Sequence, residues 1–249
     1  MQTNAERLAR GKRINSAADD AAGLAVLSKL EASLSGKEQA IRNSADGLRA
    51  LQTVDSGAAE VSNILNRMRE LAVQASNGPT SIAEREAIQN EADQLTAEIS
   101  RIADNVSFNG QNLLTGGEID VQAGDTSSAR LAVDIAAMTS SALSLDGGAV
   151  SFDTVADARS SIQAIDAALE QVNATRGEIG AGMSRVSSTI SSLTDATKSA
   201  KIAAERQSEV DSGEASTNLA KTQILEQTST AMLAQGNASS QAVLQLMKS

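Results

Sequence analysis

From Ile165 to Ala200 one seven-residue register is apolar throughout: Ile165, Val172, Ile179, Val186, Leu193 and Ala200. Four residues on, a second register holds Leu169, Met183, Ile190 and Ala204, interrupted by Arg176 and Thr197. A seam repeating about every 3.5 residues suits helices that wrap around one another, knobs into holes. At 1.5 Å per residue, a helix from about Ile162 to Arg206 would be roughly 65 Å long. A single amphipathic helix of that length cannot bury its own stripe, so other long helices must supply partners.

The rest of the chain offers them. Leu27, Leu34, Ile41 and Leu48 are spaced by seven, as are Val54, Val61 and Met68. The six-residue step between Leu48 and Val54 reads as a slip in the seam. Gly36, Gly47 and Gly57 each weaken a helix by about 1 kcal/mol relative to Ala. The pattern predicts helix from about Asn43 to Ala75, with a break near Ser35–Gly36. Asn77–Gly78–Pro79–Thr80 is a turn, with Ser81 as the cap of a further helix. There Ile88, Leu95 and Ile102, and Ala92, Ile99 and Val106, repeat at seven, and the helix ends near Asn105. Between Gly116 and Asp153 the period drops to two. Ile119, Val121 and Ala123 alternate with polar residues, as do Leu131, Val133 and Ile135, around a turn-rich Gly124–Ser128, and this predicts an antiparallel hairpin. Helix returns from Thr154, breaks near Val210–Gly213, and resumes from Glu214 to Lys248.

These elements predict a mainly α chain: a long antiparallel coiled-coil helical rod with a small β-hairpin insert at the distal end. The chain is expected to run out, turn at the β region and come back. Three parts follow: 1–34, a short polar opening and linker, which the resemblance given below makes the remnant of a terminal domain; 35–206, the rod, with the insert at about 116–153; and 207–249, a C-terminal helix.

Composition narrows the function. Only two Phe and no Trp or Tyr occur among 249 residues, so narrow aliphatic seams suit the chain better than a large compact core. No Cys and no His are present, which removes disulfides, thiolate sites, the commonest zinc ligands and the usual general base. A net charge of −10 argues against a nucleic-acid partner. No apolar run is long enough to span a membrane, and Met1–Arg13 is too polar for a secretory signal. Asp19–Asp20 are adjacent on a helix and diverge, so they cap rather than catalyse. Gly177–Gly182 has neither the strand before it nor the Lys-Ser/Thr after it that a phosphate loop needs. No catalytic, cofactor-binding or metal site is expected, and the functional surface is protein–protein. Arg67, Arg69 and Glu70 lie beside Val61, Leu65 and Met68 on one helix, where a solvated charged face is the simplest reading. With no His, contacts should respond to salt and to acid in the carboxylate range.

Several strings carry a family resemblance. Arg13–Ile14–Asn15–Ser16–Ala17–Ala18–Asp19–Asp20–Ala21–Ala22–Gly23–Leu24–Ala25 resembles the N-terminal signature of bacterial flagellins. So do Gln39–Asn43 with Asp46–Gly47, Arg69–Gln74, and Phe108–Asn109–Gly110. Gln223–Leu225 and Ala231–Gln235 with Asn237 resemble the C-terminal signature. The resemblance implies a self-assembling filament subunit for motility, exported by the flagellar type III pathway, with an export chaperone and a cap protein as partners. It places Ile224, Leu225, Met232, Leu233 and Leu246 in an inner-tube helix. It also places Arg67, Leu71 and Glu91, with Arg69 and Glu70 beside them, on a surface that packs against neighbouring subunits and that the flagellin-sensing Toll-like receptor reads. Pro79 departs from the family's pattern in the adjacent turn. Flagellins carry a further N-terminal helix before Glu6–Arg7–Leu8. Its absence, or reduction to Met1–Ala5, leads to the expectation that the last helix loses an intramolecular partner and frays in the monomer, and it calls export of the chain into question. The alternatives are the hook–filament junction protein, whose early motif carries Pro where Ala21 follows Asp20, and a helical signalling module, which would need a helical tip and membrane spans.

Overall fold

The computed structural model describes residue 6 and residues 8–246, with side chains as far as residue 240. In chain order come α1 (Ala21–Ala75), α2 (Ile82–Asn105), β1 (Ser107–Phe108), β2 (Gln111–Asn112), β3 (Gly117–Gln122), β4 (Arg130–Ile135), α3 (Val155–Ser208) and α4 (Ser212–Leu246). The chain is mainly α, with two small antiparallel strand pairs. It divides into two compact units, one made of residues 36–196 and the other of residues 1–35 with 197–249. Among the described residues no helix is long and apolar enough to cross a membrane.

In the unit of residues 36–196, α1 buries Ser44, Gly47, Leu51, Val54, Ala58, Val61, Leu65, Met68, Ala72 and Ala75. These steps alternate three and four without interruption, so there is no slip between Leu48 and Val54. Gly47 and Ser44 carry the register that a search for large apolar residues assigns to Leu48 and Ile41. The same alternation runs down α3 through Ala158, Ser161, Ile165, Ala168, Val172, Thr175, Ile179, Gly182 and Val186. Its second register is therefore three residues after the first, and Leu169, Met183 and Ile190 are only half-buried flanks. Small residues fill that second register, so large side chains of one layer meet small ones of the next. Buried hydroxyls are tolerated because they bond locally: Thr175 Oγ1 donates to the Gln171 carbonyl at 3.0 Å, and Ser161 Oγ to those of Asp157 at 2.9 Å and Ser151 at 2.8 Å. Each fully buried Ile, Leu or Val stabilises by roughly 1.5–3 kcal/mol.

The expected break at Ser35–Gly36 does not occur, and α1 is helical throughout. The glycine serves another element. A Cβ on Gly36 would sit 2.9 Å from that of Asp125 in the β3–β4 turn, and a Cβ on Gly47 would sit 2.4 Å from Val121 of β3. Gly182 of α3 stands likewise against Val133 of β4. The predicted hairpin forms, with Ile119 opposite Val133 and Val121 opposite Leu131. It lies along α1 and α3, and the chain reverses at its Gly124–Ser128 turn. An earlier reversal occurs at Asn77–Thr80: α1 stops at Ala75, Pro79 blocks continuation, and Ser81 caps α2. Ser81 Oγ accepts from the Glu84 N–H at 3.3 Å while Glu84 Oε2 accepts from the Ser81 N–H at 2.8 Å, a capping box.

The second return is a long connection from β4 to α3. It is packed rather than loose, since Met138, Leu143, Leu145, Val150 and Phe152 are buried. It runs back along α2, with Ser140 against Ser100 and Phe152 N–H donating to Gln89 Oε1 at 2.8 Å. α3 then descends antiparallel to α1.

In the other unit, the Asn15–Asp20 string acts as the predicted cap. Asp20 Oδ1 accepts from the Gly23 N–H at 2.8 Å, and Asp19 Oδ2 from the N–H groups of Asn15 and Ser16 at 3.2 and 3.0 Å. Ile14 is buried over Gly23, where a Cβ would lie 2.6 Å from Ile14 Cδ1. Arg13 N–H donates to the Ser208 carbonyl at 2.7 Å and Val210 N–H to that of Gly11 at 3.3 Å, tying the opening segment to the α3–α4 junction.

Candidate contact surfaces

The first candidate surface belongs to the unit of residues 36–196. Arg67, Arg69 and Glu70 stand on the exposed side of α1, away from the seam of Leu65, Met68 and Ala72. Arg67 reaches across to α2, where its Nε and Nη2 donate to Glu91 Oε1 at 3.0 and 2.8 Å, and its Nη1 donates to Glu70 Oε2 at 3.1 Å. Arg69 points the other way and donates from Nε to Asp166 Oδ1 on α3 at 2.6 Å. The bonds to Glu91 first and to Glu70 second push the Arg67 guanidinium above its ordinary range, and Asp166 does the same for Arg69. Both arginines therefore stay charged at every accessible pH. A third cross-helix pair joins Arg176 Nε to Asp55 Oδ1 at 3.0 Å. Arg176 lies beside the buried register of α3, not on it, as a half-exposed partner for α1.

These pairs bring together Arg67, Glu70 and Glu91, which the resemblance groups, and add Asp166 and Asp55, which the sequence did not single out, and Arg176, which it read only as a polar interruption. The partners of Arg69 and Arg176 are 97 and 121 residues away in the chain, beyond any i,i+3 or i,i+4 signal. Leu71 stands apart: it is 2% exposed and part of the hydrophobic core. It supports the patch from beneath and offers no side chain to a partner.

The second surface is α4. Ile224, Leu225, Met232 and Leu233 are 63%, 57%, 69% and 68% exposed, and only Ala215 of the helix's described side chains is buried. Leu246 ends the helix, and its side chain lies outside the described residues. The described side chains of this 35-residue helix thus include four large apolar ones that stand exposed. Contiguous exposed apolar surface marks contact sites, and covering it returns about 25 cal/mol per Å².

A cleft of about 400 Å³ between α1 and β3 is lined by Asn43, Asp46, Phe108, Glu118 and Asp120 among others. Asp46 pairs with Arg49 and Asp120 with Arg130, so two of its three carboxylates are already engaged.

Comparison with known proteins assigns these surfaces a context. Residues 1–118 match the bacterial flagellin N-terminal helical region, and residues 162–247 the bacterial flagellin C-terminal helical region. A flagellin of Halalkalibacterium halodurans is 40% identical over 245 residues, covering 98% of this chain and 90% of the relative. Flagellin FlaB1 of Treponema pallidum is 37% identical over 259 residues, covering 98% and 91%. Among solved structures, Bacillus cereus flagellin aligns with a TM-score of 0.55 at 30% identity, covering 61% of this chain and 88% of that one. A flagellar hook-associated protein of Vibrio parahaemolyticus aligns with a TM-score of 0.64 at 17% identity, covering 77% and 100%, and shares the fold.

Proposed function

Because this chain belongs to the bacterial flagellin family and is a structural subunit of the flagellar filament, we propose that it polymerises chiefly through the exposed apolar side of α4. Flagellins assemble into a homopolymer that forms the extracellular filament, an open helical array made by heterologous contacts. The observation that carries the reading is the exposure of Ile224, Leu225, Met232 and Leu233 together on one long helix. In this reading they, with Leu246, pack between subunits in the inner tube, and α4 is the inner-tube segment of residues 207–249. Residues 35–206 form the rod of the subunit. The chain is not an enzyme, and its export follows the flagellar type III route with a chaperone, a cap protein receiving it at the tip.

The test is seeded polymerisation of the full chain, followed by sedimentation and negative-stain microscopy. Leu225→Glu combined with Met232→Glu is expected to remain in the supernatant while unfolding in urea at the same midpoint as the parent. Filaments of parental length from that variant would overturn the role of α4.

A second reading concerns the Arg67–Glu91 patch, supported by its exposure and by the resemblance to receptor-read flagellins. In it, Arg67 and Glu91 contact neighbouring subunits or the flagellin-sensing Toll-like receptor, Arg69 and Glu70 border them, and Leu71 holds α1 in place below. Receptor binding unchanged by Arg67→Ala with Glu91→Ala would remove that assignment.

A further inference from the structure

We infer that Asn77–Gly78 is a site of spontaneous deamidation, which converts this asparagine to aspartate and isoaspartate in the folded chain, while the second Asn–Gly pair, Asn109–Gly110, is protected. The reaction needs a backbone nitrogen with little steric cover next to an asparagine side chain, and a main chain free to bring the two together. Glycine after asparagine supplies the first, because no Cβ stands beside the attacking nitrogen. The fold decides the second.

Asn77 lies two residues past the end of α1, and both Asn77 and Gly78 are exposed. A Cβ built on Gly78 would have no atom within 4 Å, so the segment is open to solvent and base; the same holds at Gly110, and it is the backbone setting that separates the two sites. Only long surface bonds hold the Asn77 carbonyl, from the Thr80 N–H at 3.2 Å and from Arg85 Nη1 at 3.3 Å. Loop tips of this kind open at little cost. Asn109–Gly110 has the same two residues in a different setting. Both have positive φ, 51° and 79°, as the tip of the β1–β2 hairpin. Phe108 pairs with Gln111 and Ser107 with Asn112, and Leu113 N–H donates to the Val106 carbonyl at 3.1 Å. Rotating Asn109 into an attacking geometry therefore means opening the ladder.

The step balances without any oxidant. The Gly78 nitrogen, having lost its proton to base, attacks Asn77 Cγ; the Cγ–Nδ2 bond breaks and ammonia leaves, giving a succinimide. Water then opens the ring at either carbonyl. One opening restores the ordinary peptide link with an aspartate; the other leaves Gly78 joined through Cγ, an isoaspartate with one extra main-chain carbon. The net change is asparagine plus water to carboxyl plus ammonia. The new negative charge arises beside Arg85, whose Nη1 also holds the Ala75 carbonyl at 2.7 Å at the end of α1.

The experiment incubates the full chain in mildly alkaline buffer and follows both peptides by mass spectrometry with fragmentation that separates isoaspartate from aspartate. Conversion at Asn77 is expected roughly tenfold or more faster than at Asn109, since the ladder must open first. Gly78→Ala should slow it, and Asn77→Gln should abolish it. In denaturant the two sites should converge. Equal rates in the folded chain would overturn the inference, as would a difference that persists in denaturant.

Discussion

Two long helices of this chain carry apolar residues at helical spacing and meet opposite fates. In α3 the seam from Ala158 to Val186 is buried against α1 and the β hairpin, while in α4 Ile224, Leu225, Met232 and Leu233 stay in water. Propensity does not separate them, because both are unbroken helices. Complementary neighbours do. The α3 seam alternates large residues with Ser161, Ala168, Thr175 and Gly182, and so accepts knobs from its neighbours. The apolar residues of α4 have no such partner among the described residues of their own unit. The seam of α3 stabilises the subunit, and the apolar residues of α4 stay exposed, as the proposed contact between subunits requires.

The largest effect should come from breaking the buried seam. Ile165→Ala removes a fully buried side chain and is expected to cost about 2–5 kcal/mol in urea unfolding. Leu225→Ala, equally drastic in volume, should shift the monomer's stability by less than about 0.5 kcal/mol yet weaken polymerisation. If both substitutions cost the same in the monomer, the contrast between the helices fails.

A smaller effect separates two glycines. Gly47→Ala places a Cβ 2.4 Å from Val121 and should destabilise by about 1–3 kcal/mol through overpacking, despite better helix propensity. Gly177→Ala meets nothing within 4 Å and should stabilise by up to about 1 kcal/mol. Thermal unfolding of the pair gives opposite signs if the hairpin is seated as described.

Ser44 sharpens the picture further. Its Oγ is fully buried in the α1 seam without a hydrogen-bond partner. Ser44→Ala should therefore stabilise by about 1 kcal/mol, the cost of an unsatisfied buried hydroxyl, which a rise in the urea midpoint would register.

Acid should have the mildest effect. Glu84 is held below the usual carboxylate range by the Ser81 N–H first and its hydroxyl second, and Glu98 by Arg101. A lowered folded-state pKa gives stability that is full above the unfolded value, near pH 4.3. It is lost as pH falls through the lower folded-state value. Unfolding midpoints should stay level across neutral pH, where no His titrates, and fall only in that acid window. Glu84→Gln should flatten the fall.

Much of the fold was legible as period and punctuation. The Val54–Val61–Met68 register of α1 and the Ile165–Val172–Ile179–Val186 register of α3, the Pro79 turn with its Ser81 cap, and the β3–β4 alternation follow from repeats of seven and two and from residues that cannot continue a helix. The errors share one cause. Gly36 and Gly47 read as weak points, and Leu48 to Val54 as a slip, because pattern reading credits large apolar residues and discounts small ones. In a packed seam, small residues are chosen for what lies opposite. Of the candidate contact residues, Arg67 and Glu70 could be paired by their i,i+3 spacing, whereas Leu71 looked like a surface neighbour and is core.

The order of local interactions along the chain decided which segments are helices, where they stop and that one hairpin sits among them, since caps, turns and periodicity act over a few residues. Tertiary structure alone decided that the hairpin lies in glycine-lined contact with α1 and α3. It alone paired Arg69 with Asp166 and Arg176 with Asp55, and it left the α4 stripe uncovered. Those outcomes depend on atoms about a hundred residues apart in sequence, which only packing brings within bonding distance.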